Sequence, residues 1–270
     1  MLIPRVLTAL VGIPLILGSI HFGGAVYACF VAAVVFLSLH EYGLILWTGR
    51  KPVSRVALLL FGALAAFGAV AGRMPAGGID NLVPLVISLV VLGLLSWEVL
   101  TPKRSLERFS NTMAGVFLVA WPLAHLVNVR ALAPYGEYYT FMLFLTVWAC
   151  DTAAYFGGRA FGSRKLNPEV SPKKTWEGSI AGFLAAVAVS ALLRAILVPG
   201  ALSVTDALVL GALAGVCGQI SDLAESVIKR SAGVKDSSNL LPGHGGVLDR
   251  FDSYLLLAPV YYYALVFMGK

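Results

Sequence analysis

The sequence predicts an all-α, polytopic membrane protein with about nine transmembrane helices and a polar cavity that faces the cytoplasm. Its 270 residues are 59% hydrophobic and only 13% charged, and the mean hydropathy is +0.84. Soluble domains average roughly 45–50% apolar and about 25% charged residues. Because a soluble domain of this size must still present a solvated exterior, it could not bury so much apolar surface in one core. We therefore expect the lipid bilayer to surround most of the chain.

Nine apolar stretches come close to the roughly 20 residues that a helix needs to cross the hydrocarbon core. They cover residues 4–22, 26–47, 53–72, 82–100, 113–129, 138–156, 180–198, 205–224 and 251–268. The first stretch begins with a basic residue, as a signal peptide would. However, Pro14 interrupts it and further spans follow at once, so we interpret it as a retained first span.

The cationic residues of the connectors are distributed unevenly between the two sides of the predicted membrane. The amino terminus, including Arg5, and the loops after the even-numbered spans carry about 16 Lys and Arg residues, and the other side carries about four. Those four are Arg73, Arg130, Arg194 and Lys270. The positive-inside rule therefore places the amino terminus and the even-numbered loops in the cytoplasm, with the chain in the cell (inner) membrane. The net charge of +6 gathers in these loops and forms no stripe, which argues against nucleic-acid binding.

Three regions follow along the chain. Residues 1–110 form an amino-terminal transmembrane region, 111–178 a middle transmembrane region with a basic cytoplasmic loop, and 179–270 a carboxy-terminal transmembrane region with a second polar loop. These two loops, 157–178 and 225–250, are longer than the others and rich in Gly, Pro, Ser, Lys and acidic residues. Long ordered loops usually carry function, so we expect the chemistry there.

Two short acidic groups flank the second polar loop. Asp222 lies near the end of the eighth span, and Asp249 and Asp252 are i, i+3 neighbours where the ninth begins. Carboxylates are the ligands that Mg²⁺ prefers, and Mg²⁺ usually shares them with substrate phosphates. Since acids at a membrane-embedded helix end are costly without partners, we predict that Asp222 and Asp249 converge on a divalent ion at the inner rim of the bilayer. For Asp249 alone, a simple interaction with the helix dipole is the alternative.

The same loop is rich in groups that bind phosphate. Lysine and arginine would offset phosphate charge, histidine would donate a hydrogen bond, and glycine lets backbone N–H groups come close. These residues are Lys229, Arg230, Lys235, Gly243, His244, Gly245, Gly246 and Arg250. For Lys229 and Arg230 alone, a role as topology anchors is the alternative.

The first polar loop carries a second set of candidates. Asp151, Tyr155 and Arg159 repeat at i, i+4 and i+8 and form a polar stripe that enters the bilayer from the cytoplasmic end of span six. An anion-binding segment and an acid precede span seven, namely Ser171, Lys173, Lys174, Thr175 and Glu177. Helix caps plus cytoplasmic lysines are the alternative explanation of this segment.

Several familiar motifs are missing from the sequence. It has no Gly-x4-Gly-Lys-Ser/Thr phosphate loop, no Gly-x-Gly-x-x-Gly after a strand and no serine nucleophile elbow, so any nucleotide site must be of a membrane-specific kind. Cys29, Cys150 and Cys217 lie far apart, which argues against a disulfide framework or a zinc site. Weaker polar candidates in the first half, which are more often packed residues than ligands, are His40, Glu41, Glu98 and His125.

The segments 151–162, 171–178 and 226–252 resemble phosphatidate cytidylyltransferases, also called CDP-diacylglycerol synthases. The string His244-Gly-Gly-x2-Asp249-Arg-x-Asp252 is the most specific part of the resemblance. It implies that CTP and phosphatidate react to give CDP-diacylglycerol and pyrophosphate with Mg²⁺, and it leaves room for a monovalent cation such as K⁺. It also implies an all-helical membrane enzyme that forms a homodimer.

The resemblance and the residue chemistry together give each candidate a role. The predicted catalytic residues are Asp222, Lys229, Asp249 and Arg250. The leading metal ligands are Asp222 and Asp249, with Asp151, Glu177 and Asp252 as second choices. The predicted substrate-binding residues are Tyr155, Ser171, Lys173, Lys174, Thr175, Arg230, Lys235, His244, Gly245 and Gly246.

Two other functions stay open on the sequence. A CTP-dependent kinase of a polyprenol or phytol would use a related site but would yield CDP and a lipid phosphate. An ion-coupled transporter would use its membrane acids for coupling ions, yet we find no internal repeat, and the acids cluster at the predicted cytoplasmic rim.

Overall fold

The computed structural model describes residues 3–71 and 82–270, which are mostly helical. The elements, in chain order, are α1 (Ile3–Phe22), α2 (Gly24–Thr48), α3 (Arg55–Ala71), α4 (Leu82–Leu100), α5 (Leu106–Gly115), a π-helical turn (Val116–Ala120), α6 (Trp121–Arg130), α7 (Gly136–Phe161), β1 (Lys165–Asn167), β2 (Ser171–Thr175), α8 (Trp176–Leu197), α9 (Val204–Ser231), α10 (Leu248–Phe251) and α11 (Tyr254–Phe267). The predicted end of span three at residue 72, the cation Arg73 and the side chain of Arg5 lie outside the described residues.

A helix lies within each of the nine predicted spans, but not all are long enough to cross a membrane. Within residues 3–71 and 82–270, six helices have the necessary length and apolar composition. They are Gly24–Thr48, Leu82–Leu100, Leu106–Arg130, Gly136–Phe161, Trp176–Leu197 and Val204–Ser231. Helices α3 and α11 are shorter, at 17 and 14 residues, and Thr8–Phe22 of α1 is also a shorter apolar segment. The chain is therefore a helical, multi-pass membrane protein. The count of nine spans and the opening of a polar cavity to the cytoplasm stay predictions.

The prediction of an all-α fold needs one correction, in the first polar loop. Helix α7 continues to Phe161, and β1 and β2 then form an antiparallel hairpin in which Lys165 pairs with Thr175. The side chain of Asn167 accepts a hydrogen bond from the Val170 N–H at 3.2 Å and so stabilises the turn. A three-residue strand is too short for an alternating hydrophobic pattern, which is why the sequence did not predict it.

The chain divides into two compact units. Unit 1 comprises Met1–Asn128 and Ile228–Phe251, and unit 2 comprises Val129–Val227 and Asp252–Lys270. Helix α9 contributes residues to both units, and the three regions predicted from the sequence stay a prediction.

In unit 1, α2 packs against α1, α3, the π-helical turn and α10. Glycine permits close approach, since a side chain at Gly62 would overlap Leu39 and one at Gly115 would overlap Tyr42. In the C-terminal half of α2, Glu41, Tyr42, Gly43, Ile45 and Leu46 are buried, whereas Trp47 and Thr48 at its end are exposed. Helix α2 thereby presents a carboxylate inside the unit.

In unit 2, α7 and α8 form the most extensive helix pair. A side chain at Gly178 would overlap the Ala154 backbone, and one at Gly157 would overlap Ala181, so the two helices approach closely at their polar ends. The aromatic rings of Phe144 and Tyr254 lie 4.7 Å apart and join α7 to α11.

Candidate active site

Asp249 is the centre of the second polar loop and is almost completely buried. Its Oδ1 accepts a hydrogen bond from Lys229 Nζ at 2.6 Å, and this ion pair has side-chain exposures of only 9% and 5%. Its Oδ2 accepts from the backbone N–H groups of Ser237 at 2.9 Å and Gly246 at 2.8 Å, and from the Ser237 hydroxyl at 2.8 Å. Asp249 therefore ties the end of α9 to residues 232–247, which connect α9 to α10 and which we call the signature loop.

The same contacts set the charge of Asp249. Burial by itself would raise its pKa, but the hydrogen bonds from the Gly246 N–H, from Lys229 and from the Ser237 N–H, with the Lys229 charge, lower the pKa below the ordinary aspartate value. Asp249 is therefore ionised at neutral pH, and its charge is balanced by Lys229.

Glu41 is a second buried carboxylate at the signature loop. It comes from α2 and accepts hydrogen bonds from the Ser237 and Ser238 hydroxyls and from the N–H groups of Val247 and Leu248, at 2.7–3.0 Å. Only 2% of Glu41 is exposed. On the sequence alone Glu41 is only a weak candidate, and the structure gives it four contacts to the loop that carries the most specific motif.

The glycines of the signature loop have conformational reasons for their presence. Leu241 and Gly245 form a bridge that closes a tight turn, and Gly243 and Gly245 have left-handed φ angles of 76° and 80°. A side chain at Gly246 would overlap both the Glu41 carboxylate and the Ser237 hydroxyl. Glycine is therefore required here by the turn conformation and by the packing against Glu41 and Ser237. The close approach of a phosphate stays a prediction.

A polar cavity of about 540 Å³ lies at this turn. Its lining combines cations, one acid and polar or small residues, namely Lys235, Asp236, Asn239, Leu241, Pro242, Gly243, His244, Gly245 and Arg250. Lys235 and Arg250 are exposed, whereas Gly246 lies buried beneath the turn. The structure therefore brings three of the predicted phosphate-binding side chains to one cavity. Arg230, also predicted to bind substrate, donates a hydrogen bond to the Val234 carbonyl at 2.8 Å.

Unit 2 holds a separate acidic cluster. Asp151, Asp222 and Glu225 lie close enough to Asp252 to act on it electrostatically. Asp222 forms an ion pair with Lys174 at 2.7 Å, with 28% and 30% of the two side chains exposed. The Ser221 hydroxyl hydrogen-bonds the Asp252 carbonyl and accepts from the Leu256 N–H, which anchors α11 to α9.

The hairpin candidates have contacts of their own. The Glu177 carboxylate accepts hydrogen bonds from the Ser163 hydroxyl at 2.6 Å and from the N–H groups of Ser163 and Arg164. Thr175 caps α8 by accepting from the Gly178 N–H at 3.2 Å, and Ser171 pairs with Asn167 in the sheet. Residues on the surface of this segment are Tyr155, Arg159 and Lys173. The predicted roles of Tyr155 and Lys173 in substrate binding stay predictions.

The carboxylates offer the oxygen donors that suit Mg²⁺, but they are not gathered as a ready metal site. Among residues 3–71 and 82–270, no three His, Cys, Asp or Glu side chains are placed to hold one ion. Asp222 and Asp249 are each paired with a lysine, and they belong to different units. Their predicted convergence on one metal ion stays a prediction.

Comparison with known proteins identifies the family. The model of the cytidylyltransferase family matches residues 3–268. This chain belongs to the cytidylyltransferase family. It is similar to the phosphatidate cytidylyltransferase of Pseudomonas aeruginosa, with 36% identity over 97% of this chain and 96% of that protein, and to that of Synechocystis sp., with 32% identity over 98% and 96%. The match to the phosphatidate cytidylyltransferase of Brucella suis has 46% identity but covers only 55% of this chain and 54% of that protein.

The sequence predicts the residues of the signature loop more clearly than the residues that support them. Glu41 lies almost 200 positions before Ser237, and no local spacing connects the two. The signal for Glu41 is that of a carboxylate within an apolar helix, which is costly unless it has partners. Ser237 carried no signal at all, because a serine in a polar loop is common.

Proposed function

We propose that the protein transfers the cytidylyl group of CTP to phosphatidate and releases CDP-diacylglycerol and pyrophosphate. The observation that carries the proposal is membership of the cytidylyltransferase family along nearly the whole chain, with similarity to phosphatidate cytidylyltransferases over 97–98% of its length. The multi-pass helical fold supports it, because a diacyl lipid leaves the bilayer only at a cost of about 0.8 kcal/mol per CH₂.

In this proposal, the cavity above the signature loop receives the phosphates of CTP. Lys235 and Arg250 would offset the triphosphate charge, and His244 would donate a hydrogen bond to it. A closed turn fixed from beneath by Glu41 and Asp249 gives these groups a defined position, which is how a site lowers the barrier of a phosphoryl-type transfer. Lys173 and Lys174, on the hairpin of unit 2, would bind the lipid phosphate.

The reaction needs no strong general base. The phosphate monoester of phosphatidate resembles that of a phosphorylated side chain, whose second pKa is about 6, so it is largely ionised at neutral pH. One of its oxygens forms a bond to the α-phosphorus of CTP, the bond from that phosphorus to the oxygen bridging to the β-phosphorus breaks, and pyrophosphate leaves. The chain's own contribution is then to orient the two phosphates and to neutralise their charge.

The proposed reaction depends on Mg²⁺, for which the carboxylates are suitable donors. Asp222 and Asp249 are the leading candidates, with Asp151 and Asp252 next; Glu177 fits the hairpin contacts described above better than a metal site. When bound, Mg²⁺ would supply positive charge to phosphate oxygens. A monovalent cation such as K⁺, a homodimer, and an inner-membrane location with the amino terminus and both polar loops in the cytoplasm also belong to the proposal.

A single assay tests the function. Purified protein, labelled CTP, phosphatidate and Mg²⁺ should yield lipid-soluble cytidine and pyrophosphate, and diacylglycerol in place of phosphatidate should yield nothing. A lipid kinase would instead give CDP and a lipid phosphate from a polyprenol or phytol. Absence of lipid-soluble cytidine with phosphatidate would contradict the proposal.

A further inference from the structure

The Glu41 carboxylate binds two segments: residues 237–238, the first arm, within the signature loop, and residues 247–248, the second arm, where the loop joins α10. Its Oε1 accepts a hydrogen bond from the Ser238 hydroxyl at 2.7 Å and from the Val247 N–H at 3.0 Å. Its Oε2 accepts from the Leu248 N–H at 2.7 Å and from the Ser237 hydroxyl at 3.0 Å. Each oxygen therefore bonds one hydroxyl from the first arm and one backbone N–H from the second.

These contacts connect Glu41 to Asp249 through the loop. The Ser237 hydroxyl lies 3.0 Å from Glu41 Oε2 and 2.8 Å from Asp249 Oδ2, and its single proton can be donated to only one of them at a time. Gly246 fits between the same groups, because any side chain there would overlap the Glu41 carboxylate. The positions of the loop backbone and of Asp249 therefore both depend on Glu41.

The cavity above the loop is built from the same turn. Lys235 lies two residues before Ser237, and His244 and Arg250 lie within three residues of the Val247–Leu248 N–H groups. If the two arms separated, the cationic side chains that line the cavity would lose their common position.

We propose that Glu41 is the positioning residue of the signature loop: by clamping residues 237–238 to residues 247–248, it holds Lys235, His244 and Arg250 in the arrangement that binds the nucleotide phosphates. The nucleotide part of this inference rests on the proposed function, whereas the clamp itself does not. Glu41 is buried beneath its four loop contacts, so in this proposal it acts through the loop.

The geometry predicts the effect of an amide at this position. In Glu41→Gln, one carboxylate oxygen becomes an NH₂ group, and in either orientation that group faces a backbone N–H, which cannot act as an acceptor. The facing serine hydroxyl can rotate to accept, but the backbone donor is left buried and unsatisfied. Gln therefore loses a contact that only the carboxylate can make.

The experiment compares Glu41→Gln with Glu98→Gln in full-length protein. Glu98 is the matched control, since it accepts hydrogen bonds from Arg108 at 2.6 and 3.0 Å, also in unit 1, and makes no contact with the signature loop. Hydrogen exchange of the peptides that cover 237–248 reports on the clamp without any substrate. Steady-state kinetics with varied CTP and with varied phosphatidate report on the cavity.

We expect Glu41→Gln to speed exchange in the loop peptides and to raise KM for CTP about tenfold or more, with a smaller change in KM for phosphatidate. Glu98→Gln should leave loop exchange and KM for CTP unchanged. If Glu41→Gln does not insert, Ser238→Ala, which removes one of the four hydrogen bonds, carries the test with a smaller change of the same kind.

The outcomes separate the two proposals. Unchanged loop exchange in the variant would overturn the clamp, and unchanged KM for CTP with faster exchange would overturn its role in nucleotide binding. Wild-type protein that shows no transfer from CTP, while Glu41→Gln still speeds loop exchange, would overturn the proposed function and leave the clamp standing.

Discussion

Units 1 and 2 each contain a lysine–aspartate pair among the candidate site residues, and the two pairs differ in their surroundings. Lys229 and Asp249 are buried in unit 1, and Asp249 makes three further hydrogen bonds to the signature loop. Lys174 and Asp222 in unit 2 are nearly a third exposed. A buried pair that loses one member leaves an uncompensated charge, whereas an exposed pair exchanges its partner for water or another cation at little cost.

The comparison assigns different duties to the two predicted metal ligands. Asp249 organises the loop, so its replacement should damage both structure and activity. Asp222 pairs with a lysine that can move into solvent, so under the proposed function we expect it to accept a metal ion or to release Lys174 to a phosphate. The predictions below are ordered by their expected effect on thermal stability.

The largest effect is expected from breaking the buried pair. Asp249→Asn puts a neutral amide beside the Lys229 ammonium and leaves that buried charge uncompensated. This should cost about 3–5 kcal/mol of unfolding free energy and abolish turnover. The double variant Lys229→Met/Asp249→Asn should recover part of the stability and none of the activity. Thermal unfolding and the cytidylyl-transfer assay measure the two effects. A stable, inactive Asp249→Asn would show that the pair has no structural role.

The second largest loss of thermal stability is expected from a side chain at Gly246, where the structure leaves no space for one. Gly246→Ala introduces a methyl group against the Glu41 carboxylate and the Ser237 hydroxyl, and such overpacking costs about 1–3 kcal/mol. Gly200→Ala is the control, since open space surrounds that position. We expect thermal unfolding and loop exchange to change for Gly246→Ala only. Equal behaviour of the two variants would contradict the packing described here.

The pH dependence of thermal stability tests how much the ionised Asp249 carboxylate contributes to the buried pair. Because its folded-state pKa lies below the ordinary value of 3.8, its contribution to stability is fully present well above pH 3.8 and is lost as the pH falls through the folded-state pKa. Wild-type protein should therefore lose stability in acid more steeply than Asp249→Asn, which lacks the group. Thermal midpoints of both proteins between pH 7 and 3 measure this difference, and parallel curves would count against it.

The sequence predicted the membrane fold and the signature loop for different reasons. Apolar stretches of about 20 residues predict helices directly, and within the described parts of the chain a helix lies in each of the nine. The loop was found because Asp249, Arg250 and the glycines sit close together in the sequence. The hairpin Lys165–Thr175 escaped because its strands are too short to show a period.

The support beneath the loop could not be predicted in the same way. The bond between Glu41 and Ser237 joins residues separated by 196 positions, and only the folded chain brings them together. A carboxylate in an apolar helix signals that some partner exists, yet it does not say which residue the partner is. That Asp222 pairs with Lys174 is equally a product of the fold, since the neighbouring lysines of β2, Lys173 and Lys174, are alike in the sequence.

The smallest effect on stability, together with a large effect on activity, is expected for the exposed pair. Asp222→Asn should change the unfolding free energy by only about 0–1 kcal/mol, because water screens the interaction with Lys174, and it should abolish turnover if Asp222 binds the metal ion. Asp206→Asn is the matched control, since Asp206 lies on the same helix and also pairs with an exposed lysine, Lys270, at 3.8 Å. Thermal unfolding and transfer activity at several Mg²⁺ concentrations distinguish the two variants. Activity of Asp222→Asn equal to that of Asp206→Asn would remove Asp222 from the metal site and leave Lys174–Asp222 as a surface ion pair with no part in the chemistry.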